Sequence, residues 1–150
     1  MSHVQSEKND DFDLQNFLPF LLNQASERAS LEFQSVYKGR YGMLRTEWRV
    51  LFHLGLFGEM TAKDIGERAK MHKTKISRAV AKLEQRRYLK RTRDEADRRA
   101  EWLALTPAGQ TVYRDLRNVA ANYDARLSSL FNEEEAALLR HMLQRLAGLD

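Results

Sequence analysis

Residues 68–99 read RAKMHKTKISRAVAKLEQRRYLKRTRDEADRR, and this stretch, which we call the basic segment, decides the fold. It holds thirteen lysines and arginines against four acidic residues, whereas the other 118 residues hold twelve against seventeen. The net charge of +4 is therefore concentrated in one place. Within the segment Ile76, Val80 and Leu83 recur at helical spacing, which gives a helix there an apolar side to bury. The segment is predicted to be a folded positive surface and not a disordered tail.

The composition of the chain limits its class. A length of 150 residues with 43% hydrophobic content is enough for one sizeable core. The absence of cysteine excludes disulfides, thiolate zinc sites and cysteine redox switches. No run reaches the roughly 18 apolar residues of a membrane span, and the first sixteen residues are polar. We expect a single cytoplasmic domain over residues 1–150, and the pI near 9.5 indicates an anionic partner, either nucleic acid or a membrane surface.

Four helices are predicted before the end of the basic segment. Pro19 suits the first turn of a long helix, and Thr61 with Asp64 forms a capping pattern for a short one. Gly39 and Gly42 mark a loop, and Gly55 or Gly58 ends the second helix. The predicted helices cover Leu18 to about Tyr37, Thr46 to Leu56, Asp64 to Ala69, and Lys73 to about Arg86.

Two strands and two helices are predicted to follow. Leu89 among charged neighbours and the apolar run from Trp102 indicate strands over Tyr88–Arg93 and Glu101–Leu105, with DEADRRA as the tip of the hairpin. Thr106 and Pro107 then start a helix, and Asn132 with Glu135 caps the last one. The fold class is therefore mainly α with a small β-hairpin. Apolar stripes on the first and last two helices, within residues 18–38 and 107–147, lack a partner in so small a domain, which predicts a homodimer.

The fourth helix has a face suited to a DNA groove. Ile76, Val80 and Leu83 lie within about 60° of one another on a helical wheel and define the buried side. The opposite side is small and polar apart from one long donor, Arg78, and Lys75 and Lys82 flank it. A major groove about 12 Å wide admits such a helix, because small residues allow close approach and an arginine reaches guanine O6 and N7. The opposite side consists of Thr74, Ser77, Arg78 and Ala81.

The hairpin is predicted to be a second contact with DNA, the wing of a winged helix-turn-helix. Arg98 and Arg99 lie at its tip, with Asp97 placed to orient a guanidinium, and they suit the narrow minor groove. Lys90, Arg91 and Arg93 along the strand are expected near phosphates.

Several residues have a plainer explanation. A run of charges is usually a solvated face, which is the preferred explanation for Lys63, Arg68 and Lys70 alongside general attraction to phosphate. For Arg86 and Arg87, structural and DNA-contacting roles stay equally open. Trp48 and Trp102 lie in apolar runs and are expected to pack in the core.

The chain resembles the MarR family of winged-helix transcription regulators over nearly its whole length. The segments that carry the resemblance are FLPFLLNQ, TEWRVLFHL, MTAKDIGERAKMHKTKISRAVAKLEQRRYLKR and RDEADRRAEWLALTPAGQ. It implies a homodimer with helical dimerisation at both ends, a winged helix-turn-helix module over residues 43–105, and a recognition helix at His72–Arg86. Members often have glycine where this chain has Arg87, so the turn there must accept arginine or end differently. The predicted DNA contacts are His72, Lys73, Thr74, Lys75, Ser77, Arg78, Lys82, Arg91, Arg98 and Arg99.

The resemblance also implies control by a small ligand, commonly an aromatic or phenolic carboxylate, or no ligand control at all. Such a ligand would lie between the dimerisation helices and the winged module and change the separation of the two recognition helices, which contact half-sites about 34 Å apart. Arg45 is the candidate for pairing with the carboxylate, and Tyr41, Trp48 and His53 are candidates to line the site. A lone histidine on an apolar helix is, however, more often a satisfied core residue.

Two other classes of protein compete with a regulator of transcription. Catalysis lacks support, because the four histidines have no metal-ligand spacing and there is neither a phosphate loop nor a nucleophile in a recognisable setting. No cofactor is predicted. A protein-interaction or membrane-surface module would need large apolar residues on the exposed side of the basic helix, where Thr74, Ser77 and Ala81 stand instead. The sequence thus favours a homodimeric DNA-binding regulator, most simply a repressor of a pseudo-palindromic operator, with or without an effector.

Overall fold

The computed structural model of the protein describes residues 10–97 and 99–149, and predicted contact residue Arg98 lies outside them. The chain divides between Glu32 and Phe33 into two compact units, so the expected single domain stays a prediction. The helices are α1 Leu18–Tyr41, α2 Arg45–Phe57, α3 Ala62–Ala69, α4 Lys73–Gln85, α5 Pro107–Ser128 and α6 Glu133–Ala147, and the strands are β1 Met60–Thr61, β2 Leu89–Arg93 and β3 Glu101–Leu105. The predicted fold class, mainly helical with a small antiparallel wing, is confirmed.

The first unit opens with a single 3-10 turn at Leu14–Asn16. Asp13 caps it, because its Oδ1 accepts a hydrogen bond from the backbone N–H of Gln15 at 3.0 Å. The rings of Phe12 and Phe17 meet edge to face across the turn with centroids 5.0 Å apart. Large apolar side chains on this stretch and the start of α1 are nevertheless exposed, among them Phe12, Leu14, Leu18 and Leu21.

Local caps fix where the helices of the second unit begin. Thr61 and Asp64 form a reciprocal capping box at the start of α3, as the sequence predicts. Thr106 caps α5 through the N–H of Gly109, and Pro107 occupies the first turn. A second capping box, at the start of α6, joins Asn132 to Glu135.

The described strands form an antiparallel sheet in the order β1-β3-β2. Leu89 pairs with Leu105, and Arg93 pairs with Glu101, so β2 and β3 form the hairpin of the wing. β1 adds two residues on the other side of β3, where Met60 faces Leu103. This strand was not predicted, because two residues are too few to show alternation and its partner lies more than forty residues away.

The core of the second unit lies between α2, α3, α4, the sheet and the first half of α5. Val50, Leu51, Ile65, Leu83 and Leu116 are fully buried there. The predicted buried side of α4, formed by Ile76, Val80 and Leu83, is confirmed, and Ala79 joins it. This core holds α4 with its opposite side exposed.

The end of α1 differs from the prediction, and the end of α2 is at one of the two glycines predicted for it. α1 continues to Tyr41, so Gly39 lies within the helix, and Gly42, with φ of +62°, makes the turn after it. α2 ends at Gly58, with φ of +81°, and not at Gly55, which packs directly against Tyr113. None of the helices in the described ranges combines the length and the apolar character that crossing a bilayer requires.

Candidate nucleic-acid interface

The turn between α3 and α4 is held by backbone and side-chain bonds. Lys70 adopts the left-handed conformation with φ of 56°, and the N–H of Met71 donates to the carbonyl of Gly66 at 3.2 Å. Arg49 of α2 donates to the carbonyl of Ala69 at the end of α3. The hydrogen bond therefore connects α2 to the end of α3. Burial of the Arg49 guanidinium lowers its pKa.

His72 caps the N-terminus of α4. Its Nδ1 accepts a hydrogen bond from the backbone N–H of Thr74 at 3.1 Å. Because Nδ1 is the acceptor, the proton of the neutral ring is on Nε2, which leaves that N–H as a donor. The predicted DNA-contacting residue thus also starts the helix.

The exposed side of α4 presents the predicted face. Thr74, Ser77, Arg78 and Ala81 are all exposed, and Lys73, Lys75 and Lys82 surround them. Across the ranges that the structure describes, none of these cations forms an ion pair. Lys73 and Lys75 lie in the first turn, where the helix dipole disfavours positive charge and no acid compensates it. A polyanion bound against this face would offset the positive charge that the helix dipole disfavours.

The tip of the wing is shaped by two aspartates. Asp94 accepts hydrogen bonds from the N–H of Ala96 at 2.9 Å and from the indole N–H of Trp102 at 3.3 Å. The bond from Ala96, followed by that from Trp102, holds the pKa of this carboxyl below its ordinary value. Trp102 is therefore half-buried with a polar role at the wing, and the expectation of simple core packing is incomplete.

Asp97 contributes to the backbone conformation at the tip of the wing. Its Oδ1 accepts from the backbone N–H of Arg99 at 3.0 Å, which is the ordinary bond of an aspartate two residues before its donor. The carboxylate therefore orders the backbone of the tip, and its orientation of a guanidinium stays a prediction, because Arg98 lies outside the described residues. Arg99 is exposed and, among the residues described, has no acidic partner for its side chain.

The side chain of Arg91 forms ion pairs within the winged module. Its guanidinium donates to Glu84 of α4 at 2.9 Å and lies 3.6 Å from Glu101 of β3. Two carboxylates thus offset its charge and connect the wing to α4. Contact between Arg91 and phosphate stays a prediction, and the positioning role was not foreseen because no local pattern joins positions 84, 91 and 101.

The four candidate ligand residues are divided between the end of α1, which holds Tyr41, and α2, which holds the other three. The hydroxyl of Tyr41 donates to Asp115. The ring of Trp48 meets those of Phe33 and Phe52 edge to face, with centroids 5.3 and 5.0 Å away. His53 lies one to two turns further along α2, where its Nδ1 is 2.7 Å from the carbonyl oxygen of Arg49. Nδ1 donates to that carbonyl, so this histidine is a satisfied helix residue. Arg45 is exposed at the start of α2, near Tyr37, and its pairing with a ligand stays a prediction.

Glu47, which the sequence did not single out, is a buried carboxylate in the first turn of α2. It is 2% exposed, and its Oε1 has no hydrogen-bond partner within the described chain. The N-terminus of the helix favours its charge, although burial without a donor is costly. In the sequence, the signal for this buried carboxylate was an acidic residue within the apolar run TEWRVL.

Comparison with known proteins identifies the family. The model of the MarR family matches residues 41–100, which include α2–α4 and the wing up to its tip. The transcriptional regulator SarZ of Staphylococcus epidermidis is 30% identical over 110 residues, 72% of each chain. The chain belongs to the MarR family. The family and the relatives found are regulators of transcription and not enzymes, so this MarR protein is a DNA-binding transcription regulator.

Two further relatives extend the match along the chain. The homoprotocatechuate degradative operon repressor of Escherichia coli is 24% identical over 132 residues, which is 88% of each chain. The crystal structure of a MarR family regulator from Silicibacter pomeroyi superposes with a TM-score of 0.79 at 26% identity and covers 93% of this chain and 98% of that one. The likeness therefore includes the helices outside the winged module.

This MarR protein departs from the usual sequence of the family just after the end of α4. Arg87, where members often have glycine, adopts φ of +65°. The turn therefore accepts arginine in the left-handed conformation, which costs roughly 1 to 2 kcal/mol relative to glycine. Arg87 is exposed, whereas Arg86 donates to the carbonyls of Tyr41 and Gly42. Of the two roles that were open, Arg86 takes a structural one.

Proposed function

We propose that this MarR regulator is a homodimeric repressor that binds a pseudo-palindromic operator through α4 and the wing and is released by a small aromatic acid. The observation that carries the operator contact is the exposed face of α4. It presents small side chains around Arg78, whose guanidinium has no acidic partner in the ranges that the structure describes. A free arginine on a helix of small residues is the arrangement that pairs with guanine in a major groove.

The roles of the contact residues follow from their places on the module. Arg78, with Thr74 and Ser77 beside it, faces base edges, and Arg99 enters the adjacent minor groove. His72 offers Nε2–H to a phosphate at the helix N-terminus. The remaining proposed contacts are electrostatic ones with phosphate, from Lys73, Lys75, Lys82 and Arg91, and Arg98 is proposed from the sequence alone.

Exposed apolar surface supports the homodimer. Ala136 is the buried residue of α6, whereas Leu138, Met142 and Leu146, spaced four residues apart, are 46–61% exposed. An amphipathic helix of fifteen residues gains little stability from its own hydrogen bonds and needs a surface against its apolar side. Similar exposure at Leu18 and Leu21 of α1 is explained if a second copy covers both. Half-sites one helical turn apart then require two modules.

The proposed effector is a small aromatic acid bound beside α1 and α2. Arg45 is available for a carboxylate, and the aromatic side chains of Tyr41 and Trp48 lie on neighbouring helices, although His53 faces its own helix. The E. coli relative is named for repression of an operon that degrades homoprotocatechuate, an aromatic acid. That name supports the class of ligand. The hydrogen bond of His53 to its own helix instead favours an alternative, in which the repressor acts without a ligand.

One experiment tests the proposal in two stages. A duplex recovered by the protein from a randomised pool is compared with a scrambled duplex of the same length by fluorescence anisotropy across a salt series. We expect tighter binding of the selected duplex and a two-fold symmetric selected sequence. Benzoate, salicylate and hydroxyphenylacetate are then titrated into the complex. Equal affinity for both duplexes contradicts operator recognition, while no release by any acid favours the ligand-independent alternative. A protein that acts on genomic DNA in this way is placed in the cytoplasm.

A further inference from the structure

Arg86 follows the last residue of α4, yet its guanidinium binds the protein. Nη1 donates to the carbonyl oxygen of Tyr41, and Nη2 donates to that of Gly42 at 2.9 Å. These carbonyls lie at the C-terminal end of α1, where unpaired acceptors and the helix dipole favour a cation. One side chain thus joins the end of α4 to the end of α1.

Gly42 leaves room for this contact. A Cβ on Gly42 would stand 2.9 Å from Nη1 and 3.2 Å from Nη2 of Arg86, which is too close for the guanidinium to stay in place. Gly42 also has φ of +62°, so it serves the turn and the approach of the arginine together. The contact is therefore built from both sides and is not the chance position of a long side chain.

The C-terminal end of α1, to which Arg86 binds, is itself held in place. The carboxylate of Asp115 on α5 accepts from the hydroxyl of Tyr41 and from Arg40 at 2.9 Å. The ring of Tyr41 also meets that of Tyr88, next to β2, edge to face at 6.4 Å. The end of α1 is thus held to α5 and to the base of the wing, which makes it a firm support for one end of α4.

The length of α4 makes this support important for recognition. Arg78 precedes Arg86 by eight residues, about 12 Å along a helix. A tilt of about 5° at the Arg86 end moves Arg78 by about 1 Å, which is enough to break a hydrogen bond to a base edge. Phosphate contacts by flexible lysines tolerate such a shift.

We infer that Arg86 is a positioning residue for base recognition, which holds the end of α4 against the end of α1 so that Arg78 reaches its base. The inference rests on the proposed operator contact of α4. Arg86 acts through Arg78 and contributes no counterion release of its own. Loss of Arg86 therefore lowers the preference for cognate sequence without lowering the salt dependence of binding.

The test compares Arg86→Ala with Lys82→Ala on the pool-selected and scrambled duplexes across a salt series. We expect Arg86→Ala to reduce the ratio of the two affinities roughly tenfold, the order of one lost base contact, with the salt slope unchanged. Lys82→Ala is expected to weaken both duplexes alike and to lower the slope by about one. A lower slope and equal losses for Arg86→Ala would show that Arg86 contacts phosphate and would overturn the inference, as would an unchanged affinity ratio.

A double-mutant cycle distinguishes positioning from a general loss of stability. If Arg86 acts through Arg78, the losses from Arg78→Ala and Arg86→Ala on the selected duplex are less than additive, because a misplaced Arg78 has already lost its contact. Additive losses contradict the inference. Equal affinity of the wild type for both duplexes would instead refute the operator proposal before any variant is made.

A second route to the same contact covers the case in which Arg86→Ala fails to fold. Arg86→Lys keeps the charge but offers its donors from a single nitrogen, and we expect it to fold and to retain part of the preference for the selected duplex. Gly42→Ala displaces the guanidinium while Arg86 stays, and it is expected to reproduce the loss of preference with an unchanged salt slope. A Gly42→Ala protein that is folded by circular dichroism and discriminates like the wild type would overturn the inference.

Discussion

The guanidinium of Arg91 on β2 donates to Glu84 on α4 at 2.9 Å, so an ion pair connects the wing to α4. Both side chains are partly exposed, at 34% and 46%, and such pairs contribute little to stability. Their effect is expected on DNA binding instead. Glu84 holds a positive charge that would otherwise be available to phosphate.

Glu84→Gln is therefore expected to tighten binding to selected and scrambled duplexes alike and to steepen the salt slope, since Arg91 is freed. The free energy of unfolding should change by less than about 1 kcal/mol. Glu95→Gln is the control, because it also removes one negative charge and Glu95 has no arginine partner among the described residues. Anisotropy titrations across salt measure both variants. Weaker binding by Glu84→Gln would show that the pair positions the wing and does not restrain a charge.

Gly109 is predicted to be intolerant of any side chain. A Cβ there would overlap the carbonyl oxygen of Tyr88, which accepts from the N–H of Thr106 at 3.0 Å. Because the obstacle is backbone, Gly109→Ala should lower the free energy of unfolding by more than about 2 kcal/mol. Gly39→Ala is the control: it lies within α1 with open space around it and should raise stability by about 0.5 to 1 kcal/mol. Urea unfolding measures the change in the free energy of unfolding for both variants. An unchanged free energy of unfolding in Gly109→Ala would contradict the packing of α5 on the wing.

Arg87→Gly is expected to stabilise the protein. Arg87 has φ of +65°, and glycine removes the strain at the cost of more freedom in the unfolded chain, for a net gain of about 1 kcal/mol. Gln85→Gly, two residues earlier and within α4, should lower the free energy of unfolding by about the same amount. Thermal unfolding compares them. A loss of stability in Arg87→Gly would mean that the arginine side chain makes a contact worth more than the strain.

Tyr41 gives the protein a dependence on high pH. Burial, and next the hydrogen bond to Asp115, raises the pKa of Tyr41 from its ordinary value near 10 to about 12. The neutral phenol is thus favoured in the folded state, so its contribution to stability is complete below pH 10 and disappears as the pH rises through about 12. Tyr41→Phe should be less stable than the wild type at pH 8, with a smaller difference at pH 12. Urea unfolding at the two pH values measures this difference in the free energy of unfolding. An equal difference at both would contradict the raised pKa of Tyr41.

Much of this fold could be predicted because local rules decide it. Thr61 with Asp64, Thr106 with Pro107, and Asn132 with Glu135 each start a helix where the sequence places one. The buried side of α4 follows from its periodicity alone. Gly39 failed as a loop signal because a glycine costs an otherwise favourable helix only about 1 kcal/mol, which the rest of α1 outweighs.

The errors concern relationships between distant parts of the chain. Nothing in the sequence indicates that Arg91 meets Glu84 and Glu101, that Arg86 binds the end of α1, or that β1 pairs with β3. The bond from the backbone N–H of Arg99 to Asp97 also had no signal in the sequence. The satisfied role of His53, by contrast, was one of the two explanations that the sequence offered. The candidate ligand residues were chosen by type, whereas rotation of α1 and α2 about their axes decides which of them can share a site.

The most direct measurement is the pair of variants Arg78→Ala and Lys82→Ala on selected duplexes in which each position is changed in turn. Our account predicts that Arg78→Ala costs about 1 to 3 kcal/mol on the selected duplex and removes preference at one base pair of each half-site. It predicts that Lys82→Ala keeps every preference, weakens all duplexes alike and lowers the salt slope by about one. If the two variants instead lose the same affinity with the same salt dependence and neither changes base preference, the exposed face of α4 does not recognise sequence.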